Sequence, residues 1–266
     1  MTFEHITLER DNGIVTLTLN HPESRNSMTP EMGDEIVRAS ADIRADASAR
    51  VVVITGAGKA FSSGGNLGML ARDAGVDSGG SAPTMAGSPR DFYARFLSIR
   101  QLPVPTIAAI NGHAIGAGLC FALACDLRVA AADVKMGMTF TRLGIHPGMG
   151  ATYFLPRLVG TARACDLFFT GRVIDASEAE RLGILNRCVP RGEFATAVAT
   201  LAREIASAGP LAVRLVKKAI YRGGEHSLDD MLDFEALQQT ITFTTEDARE
   251  GVTAMIEKRE PRFKGR

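Results

Sequence analysis

Twice in this chain a short, β-branched apolar run leads into a glycine-rich stretch. Val51-Val52-Val53-Ile54 precedes Lys59-Ala60-Phe61-Ser62-Ser63-Gly64-Gly65-Asn66-Leu67, and Thr106 to Ile110 precedes Asn111-Gly112-His113-Ala114-Ile115-Gly116-Ala117-Gly118-Leu119. Runs of that length and composition read as buried strands. The small residues after them let the backbone turn tightly and approach other atoms closely. Gly116 to Ala124 then reads as a helix and Leu127 to Ala130 as a further strand. Strand and helix thus alternate through the middle of the chain, as stacked βα units do, and the fold class is α/β.

The flanks extend this frame. Ile6-Thr7-Leu8 and Ile14 to Leu19 alternate with period two around Asp11-Asn12-Gly13, a hairpin whose turn tolerates positive φ. Thr29-Pro30-Glu31 starts a helix that runs to about Ala45, with a cap, a first-position proline and an acid in the first turn. From Arg72 to Pro89 the apolar period is lost, and Asp73 to Pro83 is expected to be a mobile surface loop. Phe92, Phe96 and Ile99 resume helical spacing. After about Pro147, helical segments follow one another: 151–158, 162–169, 176–182, 194–208, 211–222, 228–240 and 246–258. A boundary near Gly192 divides a core, 1–191, from a helical region, 192–266. That last region is amphipathic and short, and its apolar faces call for another subunit.

Composition excludes several functions. Lys plus Arg and Asp plus Glu both number 30, so no net field recruits nucleic acid or an anionic membrane. There is no Trp and there are 3 Tyr, a poor supply for stacking on bases or sugars. The 4 cysteines, Cys120, Cys125, Cys165 and Cys188, form no CxxC pair and no Cys/His cluster, so neither a metal site nor a disulfide framework is expected. Free thiols suit a reducing compartment, and a cytoplasmic location is expected. Met1-Thr2-Phe3-Glu4-His5 lacks a basic region followed by an apolar run, so no signal peptide is expected, and no run is apolar for long enough to span a bilayer.

Nucleotide motifs fail in detail. A Walker loop ending at Gly58-Lys59 would need glycine at Val53 and Ser or Thr at Ala60. A dinucleotide fingerprint begun by Gly56 and Gly58 would need a third glycine at Phe61. No Gly-x-Ser-x-Gly elbow supplies a hydrolase nucleophile.

The glycine stretches suit a different task. A thioester carbonyl that becomes an enolate or tetrahedral oxyanion needs two preorganised N–H donors, and losing one typically costs about 3 to 4 kcal/mol in the transition state. Ser63-Gly64-Gly65 after a strand offers one donor, and Gly116-Ala117-Gly118, opening a helix, offers the other with the partial positive charge of a helix N-terminus. Taken singly, each stretch could merely make a turn.

Together with their flanks, the stretches resemble the enoyl-CoA hydratase/isomerase family, the crotonase superfamily, over nearly the whole chain. Asn20 to Met28 resembles the family's entry motif, and Phe61-Ser62-Ser63-Gly64-Gly65-Asn66-Leu67 its first oxyanion loop. Pro105 to Asp126 resembles its second oxyanion strand and helix, and Leu143-Gly144-Ile145-His146-Pro147-Gly148-Met149-Gly150 its Leu-Gly…Pro-Gly turn. Thr170-Gly171-Arg172 with Ala176, Ala179 and Gly183, and Glu250-Gly251 to Phe263, resemble its later signatures. The resemblance implies a spiral of ββα units, a C-terminal helical trimerisation region, and a homotrimer or dimer of trimers. It implies an acyl-CoA thioester as substrate, with no cofactor beyond the coenzyme A the substrate carries. The oxyanion donors carry over to Gly65 and Ala117. Coenzyme A would lie across Lys59, Ala60, Phe61, Ser63, Asn66 and Leu67, with Arg25 and Lys59 as contacts for its phosphates or as solvated surface charge.

The resemblance breaks at the acids. The hydratases carry one glutamate three residues beyond the second donor and another three before the Leu-Gly turn; here stand Cys120 and Phe140. The acid that diene isomerases use further along the turn falls at Gly148, and Asn66 replaces the usual aspartate. Hydration must take a proton from water and deliver one to the α-carbon, and isomerisation must move one; a phenyl ring does neither. An imidazole can exchange protons near neutrality, and His146 lies in the turn, though a turn histidine more often faces solvent or bonds locally. Cys120, in a helix's first turn, could have a lowered pKa or be a buried filler. His113 supports the second loop. Tyr153 and Tyr221 could donate a proton or pack. Phe140, Met138, Met136 and Met69 would form an apolar acyl pocket.

Three readings follow. One is an enoyl-CoA hydratase- or isomerase-like enzyme with non-standard acid and base. A second keeps only the oxyanion hole, for decarboxylation or hydrolysis of a CoA thioester. A third is a catalytically silent acyl-CoA-binding subunit.

Overall fold

The computed structural model describes residues 2–76 and 88–266. The mobile loop expected over 73–83 falls mainly outside the described residues. Its first residue, Asp73, ends a short helix instead.

Two sheets carry the architecture. Strands β1 (Ile6–Asp11) and β2 (Ile14–Leu19) form the expected antiparallel hairpin, with Asn12 and Gly13 both at positive φ in its turn. β2 then pairs in parallel with β3 (Val51–Gly56), β3 with β5 (Thr106–Ile110), and β5 with β7 (Leu127–Ala131). β10 (Arg187–Val189) closes this six-stranded sheet at its far edge. The second sheet contains only three-residue strands, in the order β4 (Ala60–Ser62), β6 (His113–Ile115), β8 (Lys135–Gly137) and β9 (Val173–Asp175). Successive strand pairs β3/β4, β5/β6 and β7/β8 each give one strand to each sheet. The chain climbs by one strand per turn, which is a spiral of ββα units.

Helices fill the space around the sheets. α1 (Pro30–Ala45) begins as the sequence predicts, the Thr29 hydroxyl accepting from Met32 N. α2 (Leu67–Asp73), α3 (Pro89–Leu97) and α4 (Ala117–Leu123) follow. A 3₁₀ turn over Thr139–Leu143 leads to α5 (Ala151–Val159), α6 (Thr161–Thr170) and α7 (Ala176–Leu182). The succession of helices expected after Pro147 is interrupted by β9 and β10, each too short for period two to show.

The main core is continuous from the hairpin to α7. Phe96 of α3 and Phe121 of α4 are fully buried in it, their rings edge-to-face at 5.9 Å. A second apolar cluster covers the other face of the six-stranded sheet. There Val51, Val53, Ile107 and Val129 pack against Val198, Ala202 and Ala206 of α8 (Phe194–Ser207). The remaining helices are α9 (Pro210–Gly223), α10 (Leu228–Phe243) and α11 (Glu246–Glu257). Lys217 of α9 ties that helix down by donating to Asp126 Oδ2 at 2.7 Å and to Val104 O at 2.9 Å. Among the described residues, no helix is long and apolar enough to cross a membrane.

Candidate active site

The two glycine stretches meet backbone to backbone. Gly64 adopts φ +88°, and a Cβ built there would lie 2.5 Å from Ile115 O and 3.1 Å from Ala117 N. One at Gly118 would lie 2.4 Å from Ser62 O, and one at Gly112 2.3 Å from Lys59 O. Real Cβ atoms do not approach so closely, so glycine at these positions is what lets the segments touch. Gly116 holds φ +53° with ψ −122°, a conformation closed to other L-residues, and so turns the chain into α4.

This contact brings Gly65 and Ala117 to neighbouring positions. Neither amide donates to another described residue: Ala117 is the first residue of its helix, and Gly65 only bridges Met28. Two small-residue backbones in contact, each with an amide free, can receive one carbonyl oxygen.

A buried polar scaffold fixes the first loop. The side chain of Asn26 is fully buried. Its Nδ2 donates to Ala57 O and Ala60 O, both at 2.9 Å, and its Oδ1 accepts from His21 N at 2.9 Å. Ser62 Oγ donates to Asn26 O at 2.7 Å, and Ser63 N to Arg25 O at 3.0 Å. Asn111 bonds Gly56 through both its amide oxygen and its nitrogen, which braces the turn leading to Lys59. His113 Nδ1 accepts from Lys135 N at 3.0 Å, tying β6 to β8 behind the second loop.

The proposed coenzyme A contacts fall in two groups. Arg25 and Lys59 are exposed, Lys59 at the start of the loop and Arg25 on the neighbouring segment that bonds Ser63 N, and neither has an ion-pair partner among the described residues. Ser63 and Asn66 are partly buried, and Leu67 is exposed. Asn66 already works as the cap of α2, its Oδ1 accepting from Met69 N. Ala60 is buried, and the Phe61 ring is turned into the core against Phe121 at 6.3 Å. Those two residues therefore offer a ligand only their backbone.

The acid and base candidates separate clearly. Cys120 is 0% exposed, and burial pushes its thiol far up, overriding the lowering expected at a helix N-terminus. Its Sγ contacts Met138 Sδ at 3.9 Å. A thiol held protonated there cannot accept a proton at neutral pH, so of the two alternatives for Cys120 its burial favours the apolar filler. His146 is exposed, with Nδ1 2.7 Å from Pro147 O. A carbonyl can only accept, so Nδ1 donates in that bond, and Nε2 makes no hydrogen bond to a described residue. No described contact joins His146 to Cys120, Phe140 or the free amides. Tyr221 is committed elsewhere: it donates to Asp126 Oδ1 at 2.5 Å, and burial and Asp126 push its pKa up. Tyr153 lies on the surface under the Arg157 guanidinium.

The apolar wall is smaller than expected, because Met136 and Met138 are core residues. Phe140 is half-buried, and its Cζ lies 3.8 Å from where a Cβ on Gly116 would stand. One residue has no counterpart in the sequence reading. A Cβ at Gly148 would lie 2.4 Å from the hydroxyl oxygen of Tyr93, so this phenol occupies the room that a side chain at 148 would need. Among the described residues, no three His, Cys, Asp or Glu side chains converge as metal ligands would.

Comparison with known proteins shows the family and the fold. The family model described as Enoyl-CoA hydratase/isomerase matches residues 9–266. The chain is 36% identical to 1,2-epoxyphenylacetyl-CoA isomerase of Escherichia coli, over 99% of both chains. It is 35% identical to crotonyl-CoA hydratase of Syntrophomonas wolfei, also over 99% of both. The crystal structure of an enoyl-CoA hydratase from Bacillus anthracis superposes with a TM-score of 0.89 at 36% identity, covering 99% of this chain and 100% of that one. An isomerase and a hydratase stand at nearly the same distance, so overall identity does not choose between their reactions.

Proposed function

This chain belongs to the enoyl-CoA hydratase/isomerase family, and on that premise we propose that it binds an acyl-CoA thioester and holds the thioester enolate between the Gly65 and Ala117 amides. The observation that carries this reading is the contact of Gly64 with Ile115 O and Ala117 N, which sets two unpartnered donors side by side. Donors fixed in advance need no reorganisation as charge develops on the oxygen. Arg25 and Lys59 take the phosphates of coenzyme A, and the loop from Lys59 to Leu67 supports the thioester arm. The half-buried ring of Phe140 packs on the acyl chain.

The reaction is hydratase- or isomerase-like, but its proton chemistry differs from the usual pair. The positions the family gives to glutamates hold Cys120 and Phe140. His146, whose Nε2 bonds no described residue, is the candidate for a base in the turn. A second reading is favoured by the protonated, buried thiol and the phenyl ring: loss of CO₂ from a carboxylated acyl-CoA. There the breaking C–C bond supplies the enolate's electron pair, and no base is required. In either case the active unit is a homotrimer or dimer of trimers assembled through α9 to α11, whose apolar side chains are exposed on a single chain.

The test is incubation with crotonyl-CoA in heavy water and mass spectrometry of the thioester. Gain of water with one deuteron at the α-carbon is expected for hydration. Binding without conversion would exclude hydration of this acyl chain and leave the decarboxylative reading alongside the hydrolytic and silent-binder ones.

A further inference from the structure

We propose that the Tyr93 hydroxyl is the proton donor of this site, delivering its proton to the α-carbon of the enolate held by the Gly65 and Ala117 amides. The inference rests on the acyl-CoA reading above and adds to it the group that completes the reaction.

The position of the phenol follows from how α3 docks. Phe96 is fully buried and meets Phe121 edge-to-face, while Phe92 packs on Phe96 at 5.1 Å. Tyr93 lies one turn before Phe96 and so shares its face. Phe121 directly follows Cys120 in α4, so the same docking sets Tyr93 against the first turn of that helix. The hydroxyl reaches Gly148, where a Cβ would come within 2.4 Å of the phenol oxygen and 2.6 Å of Cζ. Gly148 has no positive φ, so glycine there answers to the phenol's approach and not to the backbone.

The hydroxyl has no hydrogen-bond partner among the described residues, although the ring is half-buried. Tyr221, by contrast, has its partner in Asp126. A half-sheltered, unpaired donor, flanked by Gly148 and close enough to Cys120 to interact with it electrostatically, is available to a substrate. Burial, and secondarily Cys120, push the Tyr93 pKa up, so the phenol keeps its proton at neutral pH. A thioester enolate is a far stronger base than a phenolate, so the transfer runs downhill.

The step balances for both reactions. In decarboxylation the C–C bond breaks, CO₂ leaves, and its electron pair becomes the enolate. That pair then forms the Cα–H bond as the Tyr93 O–H bond breaks, and water reprotonates the phenolate. In hydration, water adds its hydroxyl at the β-carbon, the enolate takes the Tyr93 proton, and the proton lost from that water returns to the phenolate through solvent.

Tyr93→Phe removes one oxygen with no internal partner, so the fold and thioester binding should persist. The probes are malonyl-CoA and crotonyl-CoA in heavy water, with conversion and α-deuteration followed by mass spectrometry. On whichever probe the wild type converts, kcat should fall about 100-fold or more, while KM and the Kd of the thioester change less than about threefold. Gly148→Ala should lower kcat in the wild type by displacing the phenol, but have little further effect in Tyr93→Phe. A Tyr93→Phe enzyme within about threefold of wild type would overturn the proposal and leave the acyl-CoA reading standing. A wild type that binds both thioesters and converts neither would overturn the enolate reading and this one with it.

Discussion

Cys120 and Gly65 show how far a residue's surroundings decide its chemistry. The first turn of a helix lowers a thiol's pKa when the thiol is open to water. Cys120 has no such access, and neither has Cys125, whose thiol burial pushes up to about 12. The reactive fraction at neutral pH is therefore negligible at both. A thiol reagent should label Cys165 and Cys188 in the native protein and reach Cys120 and Cys125 only on unfolding, with mass spectrometry counting the adducts. Rapid native labelling of Cys120 would contradict its burial. Because these folded pKa values lie above the ordinary value of 9.0, the protonated forms contribute stability that is fully present below about pH 9. That contribution is lost as pH rises toward the folded values, so the urea midpoint should decline above about pH 9, and less steeply in Cys125→Ala. Gly65 needs no positive φ, and a Cβ there would meet only Leu70 at 3.5 Å. Gly65→Ala should therefore keep both fold and turnover. Gly65→Pro, which removes the N–H, should lower kcat by about 100- to 1,000-fold. Equal rates in the two variants would remove the oxyanion role of this amide.

At the scale of elements, long strands and helices were legible and three-residue strands were not. Ile14 to Leu19 shows its alternation, and Thr106 to Ile110 its buried run, so the six-stranded sheet could be anticipated except for β10. β4, β6, β8 and β9 have no room for a period, yet they make the whole second sheet, where both glycine-rich loops are anchored. The candidate site was therefore read from glycines, while the sheet holding those glycines in place stayed hidden. Tyr93 was invisible for another reason. Its neighbour Gly148 is 55 positions away, and only the docking of α3 on α4 brings them together. Glycine contacts can be tested directly at the loop crossing. Gly118→Ala places a methyl 2.4 Å from Ser62 O, an atom of the β4 backbone that cannot swing aside. It should cost about 1–3 kcal/mol in urea unfolding, and turnover should fall further than stability alone explains, because the two donors are pushed apart. Wild-type stability and rate in Gly118→Ala would mean that the loops do not need this contact.

Over the whole molecule, the apolar surface is distributed unevenly. The core and α8 bury their large side chains, whereas α9 to α11 leave many uncovered. On α11, Val252, Met255 and Ile256 recur at helical spacing and are 58%, 82% and 76% exposed. They form one stripe along one face. α9 and α10 add a groove lined by Leu215, Val216, Ile220, Met231 and Leu232. A lone soluble chain rarely carries so much continuous apolar surface. Lys217 fixes α9 to the core through Asp126, so this surface has a defined orientation and is not a frayed end. A partner covering about 800 Å² of it would form an interface of ordinary size. For the trimer or dimer of trimers proposed above, the chain should sediment at three or six times its mass of 28.4 kDa. Replacing two apolar side chains of the stripe by charges, as in Met255→Glu with Ile256→Glu, should shift the protein toward the single-chain mass with its helix content unchanged, because charges without partners are costly to bury between subunits. Sedimentation of the wild type as a single chain at micromolar concentration would show that these helices serve some other surface. An unchanged oligomer in the double variant would move the interface off α11 to the groove between α9 and α10.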